Sequence, residues 1–259
     1  MAEGKKFKEE VLDFWNWRAQ LGQEAGTKDL IAKELEIEAI SAHVQDGMKV
    51  MDVGCGNGIT AIELARRYNI NLTGIDFAEN MVEAAKALAA GLTLKGSIQF
   101  QVGDILSLSG LSGEFDLIYT ERTLINLPDW FSQKQAIQNI IKILRPGGLY
   151  VMCENSHDGL AEMNVWRQRL GLAEIKPPWH NRYFRDGELN ESLFSGAKLE
   201  NIIYYGATYY FLSRIVNAWL AAQENKEPEY NALINQLALQ LPPLGNFGQG
   251  RLWIWRKQV

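Results

Sequence analysis

Short apolar runs alternate with amphipathic segments from Lys49 to Val151, and this alternation predicts repeated β-α-β units. The apolar run 50–53 ends at Gly54, which fits a strand buried on both faces of a sheet. Because β-α-β crossovers are right-handed, the pattern predicts a mostly parallel, doubly wound α/β sheet. Further strands are predicted at 71–76, 98–102, 115–120 and 149–153, with helices at 59–68, 79–90 and after the N-cap candidate Asp129.

The first 45 residues lie outside this alternation, and the spacing of their apolar positions predicts two helices. Phe7, Val11 and Phe14 share one face of the first helix, and residues 30–44 form a second amphipathic stretch. A glycine-containing stretch at 22–27 joins the two. We therefore expect residues 1–46 to form a helical lid in front of the main domain.

The late part of the chain also breaks the pattern, with Pro177-Pro178 inside an interruption at 155–200. Beyond it we predict two more strands and two helices, the strands at 202–212 and 251–255 and the helices at 213–223 and 230–241. The total is a Rossmann-like sheet of seven strands. We expect it to form a main domain at 47–259, with cap segments at about 155–200 and 213–245.

Composition places the chain among soluble globular proteins. Of its 259 residues, 47% are hydrophobic and 22% charged, and 26 Lys and Arg stand against 31 Asp and Glu for a net charge of −5. A mildly acidic chain without a basic block argues against nucleic-acid binding, which depends on phosphate neutralisation. No apolar run approaches the ~20 residues of a membrane span. No signal peptide is visible, so we expect a cytoplasmic protein without membrane contact.

The segment DVGCGNG (52–58) joins the first strand to its helix. Its glycines let backbone approach a ligand closely, and their G-x-G-x-G spacing differs from the G-x-G-x-x-G of dinucleotide sites because Ile59 stands at the third-glycine position. Asp76 ends the second strand and Asp104 follows the third. Ligands bind at the carboxyl ends of parallel strands. We therefore expect Asp76 to accept both hydroxyls of a ribose and Asp104 the exocyclic amine of an adenine.

Over about residues 47–154 the chain resembles the class I S-adenosylmethionine-dependent methyltransferases. The motifs are VMDVGCGNG (50–58), GIDFAENM (74–81), VGDI (102–105), FDLIYTE (115–121) and LRPGG (144–148). The glycine spacing and LRPGG disfavour the alternative, a Rossmann dehydrogenase. The resemblance implies S-adenosylmethionine as cofactor and S-adenosylhomocysteine as product. It also implies a cofactor site made of Asp52, Gly54, Gly56, Asn57, Gly58, Asp76, Phe77, Met81, Asp104, Ile105 and Glu121.

Trp15 and Arg18, on the first predicted helix, are further candidates for the cofactor site. Members of the family often carry a preceding helix over the bound nucleotide, and Arg18 would then pair with the cofactor carboxylate. The alternative is that Trp15 is a packing aromatic and Arg18 is solvated.

Candidates for acceptor recognition stand at strand ends and in the late irregular run. Arg122 would anchor an anionic group or form a scaffold salt bridge with Glu121 or Asp129, and Asn126 would orient the substrate or cap its loop. His157, after the fifth strand, and His180, in PWHNRYFR (178–185), are candidate catalytic bases together with Glu121. The same run supplies candidate substrate contacts, namely Trp179, Arg182 and Tyr183.

The acceptor class follows from what the motifs lack. No H-x-x-x-H or C-x-x-C spacing occurs, so we expect no metal. Thr120-Glu121-Arg122-Thr123 stands where amino-methylating nucleic-acid enzymes carry an Asn/Asp-Pro-Pro-Tyr/Phe loop. We therefore expect a methyltransferase for a small polar, anionic acceptor, with O-methylation as first choice and N-methylation as second.

Two later segments, at 120–130 and 177–184, are similar to uncharacterised methyltransferases of bacterial surface-polysaccharide and specialised-metabolite clusters. A second class of function stays open: the chain would bind the cofactor without catalysis and serve as a partner subunit. The aromatic residues late in the chain would serve a homodimer interface as well as a pocket.

Overall fold

A seven-stranded sheet forms the centre of the computed structural model, which describes residues 2–108, 115–189, 194 and 196–258. The strands are Lys49–Val53 (β1), Asn71–Asp76 (β2), Ser97–Val102 (β3), Phe115–Glu121 (β4), Leu144–Asn155 (β5), Ala197–Ile203 (β6) and Gly250–Lys257 (β7). Their order is β3-β2-β1-β4-β5-β7-β6. The first five are parallel, and β7 runs antiparallel to β5 and β6. The predicted α/β class and the mostly parallel seven-stranded sheet are confirmed.

Helices cover the sheet, and the side chains of Asp29, Asp129 and Ser156 each cap the start of one of them. Asp129 accepts the backbone N–H of Ser132 at 2.7 Å, which confirms it as the N-cap of its helix. Within the described residues, no helix is long and apolar enough to cross a membrane. The helices are Ala2–Arg18 (α1), Leu30–Ser41 (α2), Ile59–Arg67 (α3), Glu79–Ala89 (α4), Trp130–Ile143 (α5), His157–Arg169 (α6), Ala207–Phe211 (α7), Ala218–Gln223 (α8) and Leu233–Gln236 (α9).

The two faces of the sheet supply two apolar cores. In β1, Met51 packs into the core that contains Trp253 and Trp255, whereas Val50 belongs to the opposite core. Both tryptophans are fully buried, and truncating either to alanine would cost about 3–5 kcal/mol of stability. Helix α2 contributes to both cores, with Ile31 in one and Ile40 in the other. This helix is therefore part of the packed fold.

The structure corrects the predicted strand at 202–212, which ends at Ile203. Gly206 precedes α7, and the amide N–H of Tyr210 donates to the Gly206 carbonyl at 2.8 Å. Tyr209 and Tyr210 are buried on this helix, whereas Tyr205 lies before its start. Their strand-like aromatic character misled the sequence interpretation. The predicted helix at 213–223 is confirmed, as a π-helical segment at Leu212–Asn217 followed by α8.

The other late segments also differ from expectation. The predicted helix at 230–241 is reduced to α9 and a 3-10 turn at Leu237–Leu239, because leucines such as Leu233, at 80% exposure, lie in solvent. Helix α6 occupies part of the segment that we interpreted as an irregular cap, and Ser156 caps it. Positions 190–193 and 195 of that cap lie outside the described residues.

Candidate functional site

A cavity of ≈340 Å³ lies at the carboxyl ends of β1, β2 and β4. The strand order reverses between β1 and β4, and open α/β sheets bind ligands at such a switch point. The volume is within the ~300–1,000 Å³ of small-molecule sites. Of the residues predicted to bind cofactor, those that line the cavity are Trp15, Asp52, Gly54, Gly56, Asn57, Asp76, Phe77, Met81, Asp104, Ile105 and Glu121.

The glycine loop between β1 and α3 owes its shape to close packing at Gly54. This residue has φ +80°, and a Cβ built on it would lie 2.2 Å from Cγ2 of Thr123. The amide N–H groups of Gly54 and Cys55 both donate to the Ile75 carbonyl, at 2.8 and 2.9 Å. The loop is thereby fixed to the end of β2, and only glycine fits at its first position.

Asp76 ends β2 with its carboxylate held by backbone donors. Oδ2 accepts the N–H of Gly56 and Oδ1 that of Ala78, both at 2.9 Å. Burial raises the pKa of Asp76 to about 6, although these hydrogen bonds favour the anion. Each carboxylate oxygen has two lone pairs, so Asp76 can still accept two hydroxyl groups from a ligand.

Asp104 occupies the neighbouring strand end and connects the cavity to α1. Its Oδ2 lies 2.5 Å from Lys8 Nζ, and its Oδ1 accepts the N–H of Leu106 at 2.9 Å. Phe77 and Ile105 add apolar surface to this end of the lining. The arrangement suits a flat aromatic base whose amine reaches Asp104.

Asp52 is enclosed beneath the glycine loop. It is 2% exposed, and the Tyr119 hydroxyl donates to its Oδ2 at 2.7 Å. Burial raises the pKa of Asp52 to about 8, against the opposing effect of that hydrogen bond.

Both carboxylate oxygens of Glu121 are already engaged. Lys33 Nζ lies 2.6 Å from Oε1, and the Thr60 hydroxyl donates to Oε2 at 2.6 Å. Burial by itself would raise the pKa of Glu121, but the charges of Lys33 and Arg122 lower it to about 2. Such a carboxylate is a poor proton acceptor at neutral pH, so the geometry speaks against the predicted role of Glu121 as base.

Arg122 lines the cavity but is held in ion pairs with the fold. Its Nε lies 3.2 Å from Oε1 of Glu36, and its Nη2 lies 3.6 Å from Oε1 of Glu121. Its backbone has φ +52°, which is unusual for a bulky residue, and its N–H donates to the Cys153 carbonyl at 2.8 Å. The structure thus shows the scaffold salt bridge that was the alternative to anion binding.

Helix α1 lies over the cavity. Trp15 Nε1 donates to Oδ1 of Asn126 at 3.1 Å, which links α1 to the loop after β4. Arg18 lies outside the lining, and its Nε and Nη2 donate to the carbonyls of Ala25 and Glu24 at 2.7 and 2.6 Å. These bonds fix the turn that follows α1, so two nitrogens of the Arg18 guanidinium already have backbone partners.

The two candidate catalytic histidines also lie outside the lining. His157 starts α6 with a half-exposed side chain, 3.9 Å from Asp158. His180 is buried in an aromatic cluster, with its ring centroid 4.4 Å from that of Phe14. Burial and the charge of Arg18 lower the pKa of His180. Its aromatic surroundings indicate packing between the late loop and α1.

The remaining predicted residues have contacts elsewhere in the fold. Arg182 forms an ion pair with Glu188 and donates to Oε1 of Gln133 at 2.6 Å. Trp179 is 58% exposed and packs edge-on against Phe14. The residues predicted for the site that lie outside the cavity lining are Arg18, Gly58, His157, Trp179, His180, Arg182 and Tyr183.

Sequence reasoning missed residues that position the site from a distance. Lys33 and Thr60 fix Glu121, and Lys33 is 88 positions away from it in the chain. Glu154, at the end of β5, accepts the N–H groups of Thr123 and Leu124 at 3.1 and 2.9 Å and so holds the loop after β4. Across the described residues, no group of three or more His, Cys, Asp or Glu could hold a metal ion.

Comparisons with known proteins agree with this geometry. Residues 44–204 match the family described as "Methyltransferase domain". O-methyltransferase resE of Aspergillus sclerotiorum is 30% identical over 114 residues, which are 43% of this chain and 42% of that protein. Ajmaline N-methyltransferase of Rauvolfia serpentina is 30% identical over 112 residues, 43% of this chain and 38% of that protein. The matches therefore span less than half the length of these relatives.

The fold itself has solved counterparts. The structure of a SAM-dependent methyltransferase from Methanosarcina mazei superposes with a TM-score of 0.57 at 19% identity. The superposition covers 85% of this chain and 97% of that one. At this identity the likeness concerns the fold.

Proposed function

Because this chain belongs to the methyltransferase-domain family, which it matches over residues 44–204, we propose that it methylates a small-molecule acceptor from S-adenosylmethionine. The observation that carries the proposal is one cavity holding Asp76, Asp104 and the glycine loop at neighbouring strand ends. The residues present fit the cofactor. A Cβ built on Gly56 would meet no atom within 4 Å, so ligand can approach the backbone there, beside the Asp76 carboxylate.

Each part of the lining has a role in this function. The bound cofactor would supply a methyl group activated on a sulfonium. Asp76 would accept the ribose hydroxyls, Asp104 the adenine amine, and the loop at Gly54 would lie against the methionine portion. Phe7 and Val11 of α1 would exclude water above the cofactor. A displacement of this kind depends mainly on alignment, which rigid strand ends provide.

The lining favours an acceptor with an apolar body. Leu127 and Pro128, which follow β4, line the cavity at positions not assigned to the cofactor. The anionic acceptor expected from Arg122 loses its support, since that guanidinium already faces two carboxylates. We retain O-methylation as first choice, because curated relatives include O-methyltransferases, and N-methylation as the alternative. With Glu121 engaged, the acceptor needs an acidic hydroxyl or a neutral amine as its nucleophile.

Calorimetric titration tests the cofactor half of this proposal. We expect S-adenosylhomocysteine to bind and NAD⁺ to bind far more weakly, because the glycine spacing and Asp104 suit a single adenosine. Product mapping by mass spectrometry then separates O-methyl from N-methyl transfer. Binding of NAD⁺ with higher affinity than S-adenosylhomocysteine would refute the proposal. Binding without turnover would favour the alternative of a non-catalytic partner subunit.

A further inference from the structure

Helix α2 carries three charged residues along one side. Asp29 is its N-cap, and Lys33 and Glu36 follow at spacings of four and three, which place side chains on the same face of a helix. Asp29 and Glu36 are buried, and the Lys33 side chain is 18% exposed. Because charges removed from water need partners of opposite sign, each of the three must meet such a partner on another element.

Two of these residues hold the wall of the cavity. Lys33 Nζ lies 2.6 Å from Oε1 of Glu121, and Oε1 of Glu36 lies 3.2 Å from Nε of Arg122. Glu121 is the last residue of β4 and Arg122 is the next, and both line the cavity together with Lys33. The position of α2 therefore sets the position of the wall that the end of β4 forms.

The third residue, Asp29, is held by the late helical segment, residues 207–223. Nη2 of Arg214 lies 2.5 Å from Oδ2 of Asp29, and the Tyr209 hydroxyl donates to Oδ1 at 2.5 Å. Oδ1 also accepts the N–H of Ala32 at 3.0 Å. One carboxylate therefore caps α2 and also joins it to a segment that lies 185 positions away in the chain.

Arg214 is itself held in one orientation. Its guanidinium lies 5.5 Å from the ring centroid of Tyr209 and 5.0 Å from that of Tyr230, within the range of cation–π contacts. Its Nη1 donates to the Ser213 hydroxyl at 3.2 Å. Arg214 lies in the π-helical segment Leu212–Asn217, and π-helical turns occur frequently at functional sites. Asp29 therefore faces a cation whose direction is set by its surroundings.

We propose that Arg214, which lies outside the cavity lining, is a positioning residue for the cofactor site and acts through α2. Its ion pair with Asp29 fixes the start of the helix, and the helix then presents Lys33 to Glu121 at the cavity wall. This inference rests on the proposed methyltransferase function and adds a residue that controls its cofactor site from a distance. The alternative is an ion pair that only stabilises the fold, which would change the free energy of unfolding and leave ligand affinity unchanged.

Calorimetric titration of folded variants with S-adenosylhomocysteine distinguishes the two roles. Arg214→Gln should weaken binding about tenfold, the size of effect that residues acting on a site from a distance can have. Arg214→Lys should stay within about threefold of wild type, because one nitrogen contacts Asp29 and lysine keeps that charge. Arg251→Gln is the matched control, since it removes a buried guanidinium that pairs with Asp186 at 2.5 Å, and it should bind like wild type. An affinity of Arg214→Gln within twofold of wild type would overturn the inference, and so would an equal loss in Arg214→Lys or in the control.

A double-variant cycle tests the route through Lys33. Lys33→Gln should weaken S-adenosylhomocysteine binding by itself, because it releases Glu121. Adding Arg214→Gln should cause less than about a twofold further loss, since both changes break one series of contacts and are not additive. Losses that multiply in full would contradict the route through α2. If a glutamine variant fails to fold, Asp29→Asn, which keeps an N-cap oxygen and removes the charge, should show the same loss as expected for Arg214→Gln, and unchanged affinity there would overturn the inference.

The wild-type titration separates this inference from the proposed function. Binding of S-adenosylhomocysteine by the wild-type protein, with equal affinity in Arg214→Gln, refutes the positioning role alone. An absence of S-adenosylhomocysteine binding in the wild-type protein refutes the proposed function itself.

Discussion

Removing the Asp76 carboxylate perturbs the side chain that we propose to bind the ribose. Each of its oxygens accepts one backbone N–H at 2.9 Å and retains capacity for one ribose hydroxyl. Asp76→Ala therefore deletes two charge-assisted hydrogen bonds to the ligand. At a net loss of about 1–3 kcal/mol, S-adenosylhomocysteine should bind about 5- to 150-fold more weakly.

The pKa of Asp76 adds a second signature. Burial raises it to about 6, and protonation converts one accepting oxygen into a donor. If the carboxylate form binds the ribose, wild-type affinity should fall as pH decreases through 6, approaching a tenfold loss per pH unit below it. In Asp76→Ala this part of the pH dependence should disappear.

Isothermal titration calorimetry with S-adenosylhomocysteine at pH 5, 6, 7 and 8 provides the measurement. Asp116→Ala is the matched control, because Asp116 lies near the start of β4 and pairs with Arg145 at 2.6 Å. The control should bind like wild type. An Asp76→Ala affinity within twofold of wild type, or equal wild-type affinities at pH 5 and pH 7, would refute the ribose assignment.

Three further outcomes are expected. Gly54→Ala should abolish S-adenosylhomocysteine binding, since its Cβ would lie 2.2 Å from Thr123, and near-wild-type calorimetry would contradict this packing. Lys33→Met should lower the free energy of unfolding by about 3–5 kcal/mol in urea, because buried Glu121 loses its 2.6 Å partner; a loss under about 0.5 kcal/mol would contradict the importance of this ion pair. Thermal unfolding of the ligand-free protein should show stability falling from about pH 5 to pH 8. A stability maximum at pH 8 would contradict the raised pKa values of three buried carboxyl groups. The native state binds more protons than the unfolded chain there, because burial raises the pKa of Asp52, Asp76 and Glu154 to about 8, 6 and 7.

The central sheet is predictable from the sequence because its signals are local. Strand β2 is predicted to the residue at Asn71–Asp76, where Leu72 and Ile75 supply the apolar positions and Asp76 ends the segment. The elements after β5 are harder to predict from the sequence. Tyr209 and Tyr210 are aromatic residues, which favour strands. Their helical conformation depends on contacts that are distant in sequence, such as the hydrogen bond that the Tyr209 hydroxyl donates to Oδ1 of Asp29 at 2.5 Å.

The candidate site also contains residues that motifs predict and contacts that only the fold shows. Asp76 and Asp104 follow from strand ends and a motif, and both line the cavity. The pairing of Arg122 with Glu36 links β4 to α2, and no spacing in the sequence encodes a contact of that length. His180 illustrates the converse error, because its polar-aromatic neighbourhood suggested catalysis and the fold uses it in packing against Phe14.

The most direct test of the methyltransferase proposal is transfer of a labelled methyl group from S-adenosylmethionine. The acceptors are small hydroxyl and amine compounds with apolar bodies, each paired with its carboxylated or phosphorylated counterpart. We expect labelled O- or N-methyl product from the neutral members with wild-type protein, and none with Gly54→Ala. Product confined to the anionic members would contradict the acceptor class, and S-adenosylhomocysteine binding with no product from any member would contradict the activity.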